Sequence, residues 1–198
     1  MYSIGIDLGG TNIAVGIVDA EYRIVKKESI PTRAKREADA ITADIAALCL
    51  KLMEEAGLSR EDIAFAGMAT PGTANSASGV IEYANNLPFY MYPMCEKLSS
   101  LLGGIKVYIE NDANAAAKAE AMAGAAKGSR YSVMITLGTG VGGGIILDGK
   151  VYAGFNFAGA ELGHTVIEKD GRQCSCGRRG CFETYSSATG LITTTKEK

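Results

Sequence analysis

The sequence predicts an α/β protein made of two related units, and three observations support this prediction. A strand-turn-strand pattern surrounds the glycines near residue 10, and a second one surrounds the glycines near residue 138. Between the two, apolar residues recur every three or four positions, as on one face of an amphipathic helix. We therefore expect one unit at residues 1–115 and another at residues 116–198.

Three strands are expected at the start of the chain. YSIGID, IAVGIVD and RIVKKESI are rich in apolar and β-branched residues, and the segments GGTN and AEY between them are typical of tight turns. The first two strands are expected to form a hairpin.

Residues 37–56 predict a helix, because their apolar positions advance by three or four and Gly57 follows as a stop signal. These positions are Ile41, Ile45, Leu48 and Leu52. Cys49 falls on the same stripe, so we interpret it as a small buried apolar residue.

The remaining elements continue the α/β pattern. IAFAGMA and KVYIEN predict short strands, and MCEKLSSLL predicts a helix. DANAAAKAEAMAGAA predicts an alanine-rich helix opened by Asp112. YSVMITL, GTG and VGGGIILD then repeat the strand-turn-strand order of the N-terminus.

Composition disfavours several classes of protein. Twenty basic against twenty-two acidic side chains give a net charge of −2, without a basic run suited to nucleic acid or an anionic membrane. We expect a small-molecule partner instead. The N-terminus lacks the pattern of a signal peptide, and an apolar run of membrane-spanning length is absent, so we expect a cytoplasmic protein with reduced thiols.

Two glycine-rich turns have the pattern of a phosphate site, since glycines let backbone N–H groups approach an anion closely. The first is DLGGTN, with Asp7, Gly9, Gly10, Thr11 and Asn12, and the second contains Gly138, Thr139 and Gly140. Asp7, at the end of the first strand, could hold Mg²⁺ beside the phosphates. Either turn alone equally fits an ordinary glycine hairpin, but the repetition favours nucleotide phosphates.

Asp112 has two interpretations. It could cap the helix that begins there, which is a common role for aspartate. It could also be a general base, because phosphoryl transfer to an alcohol needs a carboxylate near the attacking hydroxyl. His164 is the only histidine, and once it is committed to a metal, a carboxylate becomes the default base.

The segment HTVIEKDGRQCSCGRRGC contains a candidate metal site with the spacing H-x9-C-x-C-x4-C. Its ligands are His164, Cys174, Cys176 and Cys181. A set of three cysteines and one histidine suits tetrahedral Zn²⁺ that is closed to water and structural rather than catalytic. Disulfide pairing is the alternative, and reduced cytoplasmic thiols disfavour it.

Taken in order, the motifs DLGGTN, ENDANAAAKAE, GTGVGGG, AGAELGH and CSCGRRGCFE resemble the ROK family of sugar kinases, most of all its bacterial glucokinases. The resemblance covers essentially the whole chain. It implies the actin-like, ribonuclease-H-like ATPase fold, in which two α/β domains close around ATP and a hexose, and it implies a homodimer. Residues 1–115 would be the N-terminal domain, and residues 116–198 would be part of the C-terminal domain, with the zinc loop.

The resemblance also assigns site residues. Asp112 would be the catalytic base, and the four candidate metal ligands would hold Zn²⁺. The residues implied to bind or line the sugar are Gly72 in TPGT, Asn85, Asn86, Asn111, Asp112, Glu161, His164 and Glu183. The implied cofactors are ATP, Mg²⁺ and Zn²⁺, and glucose is the expected hexose.

Two departures from the family pattern affect the function. Regulators of the family carry a DNA-binding helix-turn-helix before the first glycine motif, and here Asp7 stands almost at the first residue, so we expect no nucleic-acid partner. Kinases of the family continue past the zinc loop into an adenosine-binding segment, whereas this chain stops at TTTKEK. We expect little turnover from these residues alone.

Three functional hypotheses follow. The first is a glucokinase-like enzyme that phosphorylates the 6-hydroxyl of a hexose. The second is a truncated sugar-binding or regulatory protein without turnover, and the third is a scaffold with structural zinc only.

Overall fold

The structure is a computed structural model, and it describes residues 1–84 and 86–197. Contacts among these residues divide the chain into two compact units, unit 1 at Met1–Asp112 and unit 2 at Ala113–Lys198. The domain boundary near residue 115 remains a prediction.

Unit 1 is built around a five-stranded sheet in the order β3-β2-β1-β4-β8, beside a small sheet in the order β5-β6-β7. Its described strands are β1 (Tyr2–Leu8), β2 (Asn12–Val18), β3 (Ile24–Pro31), β4 (Ile63–Thr70), β5 (Thr73–Asn75), β6 (Val80–Tyr83), β7 (Tyr90–Tyr92) and β8 (Val107–Asn111). Its helices are α1 (Ala38–Glu55) and α2 (Met94–Leu101), with a 3₁₀ turn at Arg60–Asp62.

The pairing in the large sheet determines which residues share an edge. β1 pairs antiparallel with β2, which confirms the predicted hairpin, and β1, β4 and β8 run parallel. Asp7 is in register with Ala69, and Thr70 is in register with Asn111. The carboxyl ends of three neighbouring strands therefore meet at one edge, the usual position of ligands in α/β sheets.

The helix predicted at residues 37–56 is confirmed by α1, which differs by one residue at each end. All four residues of the predicted apolar stripe are buried, and Cys49 is 0% exposed. The sequence did not predict the small β5-β6-β7 sheet. Its strands have only three or four residues each, too few for an alternating pattern to stand out from the surrounding loops.

Unit 2 has a three-stranded sheet in the order β11-β10-β9. Its described elements are α3 (Asp112–Ala123, whose first residue belongs to unit 1), β9 (Ser132–Leu137), β10 (Val141–Leu147), β11 (Lys150–Val151), a 3₁₀ turn at Leu162–His164, α4 (Glu183–Ser186) and α5 (Ala188–Lys196). The antiparallel β9–β10 pair confirms the second predicted strand-turn-strand.

Small residues allow α3 to lie close against β10. A Cβ added at Gly142 would lie 3.1 Å from the Cβ of Ala113, and one added at Gly144 would lie 2.5 Å from the Cβ of Ala117. The alanines on the helix and the glycines on the strand therefore belong to one interface, and a larger side chain on either side would push the helix away.

None of the helices in the described part of the chain combines the length and the apolar character that crossing a bilayer requires.

Candidate functional site

The first predicted phosphate turn joins β1 to β2. The Gly9 amide donates to the Asn12 carbonyl across the turn at 3.0 Å. A Cβ at Gly9 would lie only 2.9 Å from that carbonyl oxygen, so the tight turn requires glycine. Gly10, Thr11 and Asn12 are exposed, and the turn therefore presents its backbone to solvent, where an anion could reach it.

Thr32, which belongs to none of the sequence motifs, holds this turn from the protein side. Its side chain is 0% exposed, and its hydroxyl donates to the Gly9 carbonyl at 2.6 Å. Its amide donates to the Thr11 carbonyl at 2.8 Å. The Arg36 guanidinium donates to the Thr32 carbonyl at 3.0 Å and to Asp44 of α1 at 2.6 Å. The turn is thus linked through two residues to the main helix of unit 1.

Asp7 and Asp112 interact electrostatically within unit 1. The pKa of Asp7 is raised above its ordinary value, first by the partial loss of solvent around its carboxylate and second by the negative charge of Asp112. Asp7 nevertheless keeps an exposed surface. Asp112 is exposed and is the first residue of α3, immediately after β8.

Asn111 and Gly72 lie together at the same edge of the sheet. The Asn111 side-chain amide donates to the Gly72 carbonyl at 3.1 Å. Gly72 has φ +83°, and a Cβ there would lie 2.1 Å from the Tyr83 carbonyl oxygen, so glycine is required. The nearest atom to a Cβ placed on Gly10 is the Cβ of Asn86, at 3.8 Å. Asn85 lies outside the described residues.

The second predicted phosphate turn, between β9 and β10, is held by residues of α4 and α5. The Ala188 amide donates to the Gly138 carbonyl, and the Thr189 hydroxyl donates to the Thr139 carbonyl, both at 2.9 Å. The Val141 amide donates to a carboxylate oxygen of Glu183 at 2.9 Å. Glu183, predicted from the resemblance as a sugar ligand, therefore also contacts the turn.

Glu161 precedes a 3₁₀ turn that packs on β10, and His164 is the last residue of that turn. A Cβ at Gly163 would lie 2.0 Å from the Val141 carbonyl oxygen, so this close contact requires glycine. Glu161 is exposed, and His164 is half-buried. The tight packing fixes the backbone from which both side chains project.

The four predicted metal ligands come together in unit 2. One ligand atom from each of His164, Cys174, Cys176 and Cys181 lies within 4.8 Å of the others. The His164 Nδ1 to Cys174 Sγ distance is 3.5 Å, and the Cys176 Sγ to Cys181 Sγ distance is 3.7 Å. Zn–S bonds of about 2.3 Å in a tetrahedron give Sγ–Sγ separations of about 3.8 Å. The residues thus fit Zn²⁺, and all five cysteines are free thiols.

The two cysteines at the end of the loop differ in acidity. Hydrogen bonds from Arg178, from its backbone first and its side chain second, lower the pKa of Cys176 to about 6. Burial raises the pKa of Cys181 to about 11. Zn²⁺ binds thiolates, so a bound ion would favour deprotonation of the buried thiol as well.

Arg172 links the metal-ligand loop to the helices that follow it. Its guanidinium is stacked over the Tyr185 ring at 4.8 Å and donates to the Thr184 carbonyl and the Thr194 hydroxyl, each at 3.0 Å. It also forms an ion pair with Glu197. The loop, α4 and α5 are therefore one connected structure.

A cavity of about 510 Å³ lies in unit 2 beside the second turn. Its lining includes Thr139 of the turn, Arg172 of the loop, Glu183, Thr189 and Thr193. The hydroxyl, carboxylate and guanidinium groups make this a polar cavity, suited to a hydroxyl-rich or charged ligand rather than an apolar one.

A family model described as the ROK family matches residues 3–198. The chain is 36% identical over 189 residues to the glucokinase of Thermotoga maritima, covering 95% of this chain and 58% of that protein. It is 37% identical over 191 residues to the N-acetylmannosamine kinase of Citrobacter koseri, covering 96% and 63%. The chain therefore spans about three fifths of the length of the curated relatives it matches.

Solved structures share the fold. The ROK hexokinase of Thermus thermophilus matches with a TM-score of 0.85 and 35% identity, covering 100% of this chain and 64% of that one. A ROK family glucokinase of Streptomyces griseus, in complex with glucose and AMPPNP, matches with a TM-score of 0.83 and 36% identity, covering 100% and 61%. A transcriptional regulator of that family, at 23% identity and a TM-score of 0.86, shows the fold alone; the match covers 99% of this chain and 49% of that one.

Proposed function

The chain belongs to the ROK family and has its actin-like α/β fold, and from this premise we propose that it is the phosphate- and sugar-binding part of an ATP-dependent hexose kinase. One observation carries the proposal. Asp7 near the end of β1 and Asp112 directly after β8 lie at one edge of the same parallel sheet, beside a glycine turn with an exposed backbone. Phosphoryl transfer to an alcohol needs a base, a metal ligand and a phosphate cradle together.

In the proposed reaction, Asp112 accepts the proton of the sugar 6-hydroxyl as that oxygen attacks the γ-phosphorus of ATP. The new oxygen–phosphorus bond forms while the bond from the γ-phosphorus to the bridging oxygen breaks, and ADP leaves. Asp7 would hold Mg²⁺, directly or through water, and a bound Mg²⁺ neutralises phosphate charge. The backbone of the two glycine turns would hold the phosphates, so positioning supplies most of the rate.

The proposed sugar ligands are Asn86, Asn111, Glu161, His164 and Glu183. Gly72 would line the site, and Asn85 is proposed as a further ligand on the family resemblance alone. Contacts of Asn111 and His164 support the roles proposed for these two residues. The side-chain amide nitrogen of Asn111 donates to the Gly72 carbonyl. The side-chain oxygen of Asn111 therefore points away from Gly72. The Nδ1 of His164 faces Cys174, so Nε2 is the ring nitrogen proposed to contact a sugar hydroxyl.

We propose that Zn²⁺ is structural. The four-ligand set leaves no coordination position for substrate, so the ion would stabilise the loop and fix the ring of His164. We also propose a homodimer in the cytoplasm, on the family resemblance alone.

Glucose is the proposed substrate, because glucokinases are among the relatives with 36% identity or more. N-acetylmannosamine is the competing substrate, because a kinase named for it is 37% identical. The alternative function is sugar binding without turnover, as in a regulatory protein.

A coupled assay of ADP release across glucose, fructose, N-acetylmannosamine and allose, with calorimetry for binding, tests the proposal. We expect phosphorylation of at least one sugar by protein that carries this chain. Sugar binding without turnover would support the alternative. Loss of both would leave a scaffold with structural zinc and would refute the kinase.

A further inference from the structure

Each of the two glycine turns has a carbonyl that accepts a hydrogen bond from a threonine hydroxyl outside the turn. In unit 1, Thr32 donates to the Gly9 carbonyl at 2.6 Å. In unit 2, Thr189 donates to the Thr139 carbonyl at 2.9 Å. The two threonines lie 23 and 50 residues from their acceptors, and no motif in the sequence connects them to the turns.

Peptide geometry gives these bonds a directional consequence. A trans peptide is planar, and its C=O and N–H groups point in opposite directions. When Thr32 holds the Gly9 carbonyl, the N–H of Gly10 must point away from Thr32. When Thr189 holds the Thr139 carbonyl, the N–H of Gly140 must point away from α5. A second bond, from the Ala188 amide to the Gly138 carbonyl, orients the N–H of Thr139 in the same way.

We propose that Thr32 and Thr189 are positioning residues that aim the N–H groups of the two turns at the phosphates, an inference that rests on the proposed nucleotide binding. Glycine peptides rotate freely, since glycine has few forbidden conformations. A hydroxyl that holds the carbonyl restricts this rotation before the anion binds. The turn therefore loses less conformational entropy when the anion binds. Burial strengthens the case for Thr32, which is 0% exposed.

Matched substitutions separate this role from packing. Thr32→Val and Thr189→Val keep the shape but remove the hydroxyl, whereas Thr32→Ser and Thr189→Ser keep the hydroxyl. Thr42→Val is the control for Thr32, because Thr42 is 1% exposed and its hydroxyl contacts the Ala38 carbonyl and Tyr92. Thr195→Val is the control for Thr189, because Thr195 lies on the same helix and donates to the Leu191 carbonyl.

The first readout needs no ligand. The amides of Gly9 and Gly138 form hydrogen bonds within their own turns, at 3.0 and 2.9 Å. We expect amide hydrogen exchange at Gly9 to rise about tenfold in Thr32→Val, and at Gly138 in Thr189→Val, as one anchoring bond is lost. The serine variants and the two controls should keep the wild-type rates at these amides.

The second readout is affinity for MgATP and for glucose by calorimetry. We expect each valine variant to lose about tenfold in MgATP affinity while glucose affinity stays within about twofold. Unchanged exchange at Gly9 and Gly138 would overturn the proposal, and so would an MgATP loss that serine does not restore. If the wild type binds no MgATP, the proposed function fails, and the exchange rates alone decide whether the threonines hold the turns.

Discussion

Asp112 would perform the proton transfer in the proposed reaction, so its replacement tests that reaction at the level of one residue. Asp112→Asn keeps the shape and still suits the start of α3, but an amide cannot accept the hydroxyl proton. We expect a loss of at least about 100-fold in kcat with hexose affinity unchanged.

The control for Asp112→Asn is Glu54→Gln, an exposed residue on α1. Glu54→Gln should change neither kcat nor hexose affinity. A fall in thermal stability and hexose affinity together with activity would instead make Asp112 a residue needed only to start the helix.

The raised pKa of Asp7 makes a second prediction for a single residue. Its causes are partial burial and the charge of Asp112, so removing that charge in Asp112→Asn should lower the Asp7 pKa towards its ordinary value. Carbon-detected NMR titration of the Asp7 carboxylate measures the change. An Asp7 pKa that is the same in both proteins would mean that Asp112 does not act on it.

The same shift predicts how stability depends on pH. A carboxyl whose folded pKa is raised binds more protons in the folded state, so its contribution to stability falls as pH rises from its unfolded pKa through its folded pKa. Asp7→Asn removes that loss. We therefore expect the stability of Asp7→Asn minus that of the wild type to be more positive at pH 7 than at pH 3. Thermal unfolding at the two pH values measures this difference.

At the level of elements, the loop from His164 to Cys181 has few apolar residues to bury and should depend on its metal. We expect about one zinc ion per chain by elemental analysis of protein purified without added metal. Cys176→Ser should lose most of the zinc and weaken hexose binding, because the loop positions His164.

Cys95→Ser is the control for the zinc prediction, since Cys95 is a free, half-buried thiol outside the loop. It should keep its zinc. Absence of zinc from the wild-type protein, or disulfides among Cys174, Cys176 and Cys181, would end the zinc proposal.

Arg172 joins the metal-ligand loop to α4 and α5, and its loss should destabilise these elements. Arg172→Met keeps much of the apolar stem but removes hydrogen bonds to three partners in the helices and the ion pair with Glu197. We expect a cost of about 2 kcal/mol in the free energy of unfolding, with faster amide exchange in α5. Arg179→Met, in the same loop but exposed, should cost little, and equal effects of the two substitutions would contradict the link.

For the whole molecule, the charge predicts weak binding to nucleic acid. A net charge of −2 without a basic run offers few phosphate contacts, so we expect this chain to bind random duplex DNA more weakly than about 100 µM at physiological salt. Fluorescence anisotropy measures it. Micromolar binding that weakens steeply with added salt would contradict the prediction and support a regulatory function.

Local patterns in the sequence were sufficient to predict much of unit 1 and the metal ligands. α1 followed from apolar residues three or four apart, the β1–β2 hairpin from two strands around a glycine turn, and the cluster of His164 with three cysteines from ligand type and spacing. Each of these patterns lies within a short segment, so neighbouring residues contain the information. Local patterns suggested the roles of Asp7 and Asp112, whereas the sugar ligands came from family resemblance, and all of these roles remain proposals.

Only the tertiary structure showed the contacts between segments that lie far apart in the sequence. The parallel β1-β4-β8 order brings together strand ends that lie far apart in the sequence. The contacts of Thr32 with Gly9 and of Thr189 with Thr139 likewise cross long stretches of chain. The residues around a threonine in a loop or helix do not indicate which carbonyl its hydroxyl will bond to. That bond depends on the positions of donor and acceptor in the folded chain, which are set by packing between distant segments. The sequence therefore determined which residues form each turn, whereas only the folded chain decided what holds the turns.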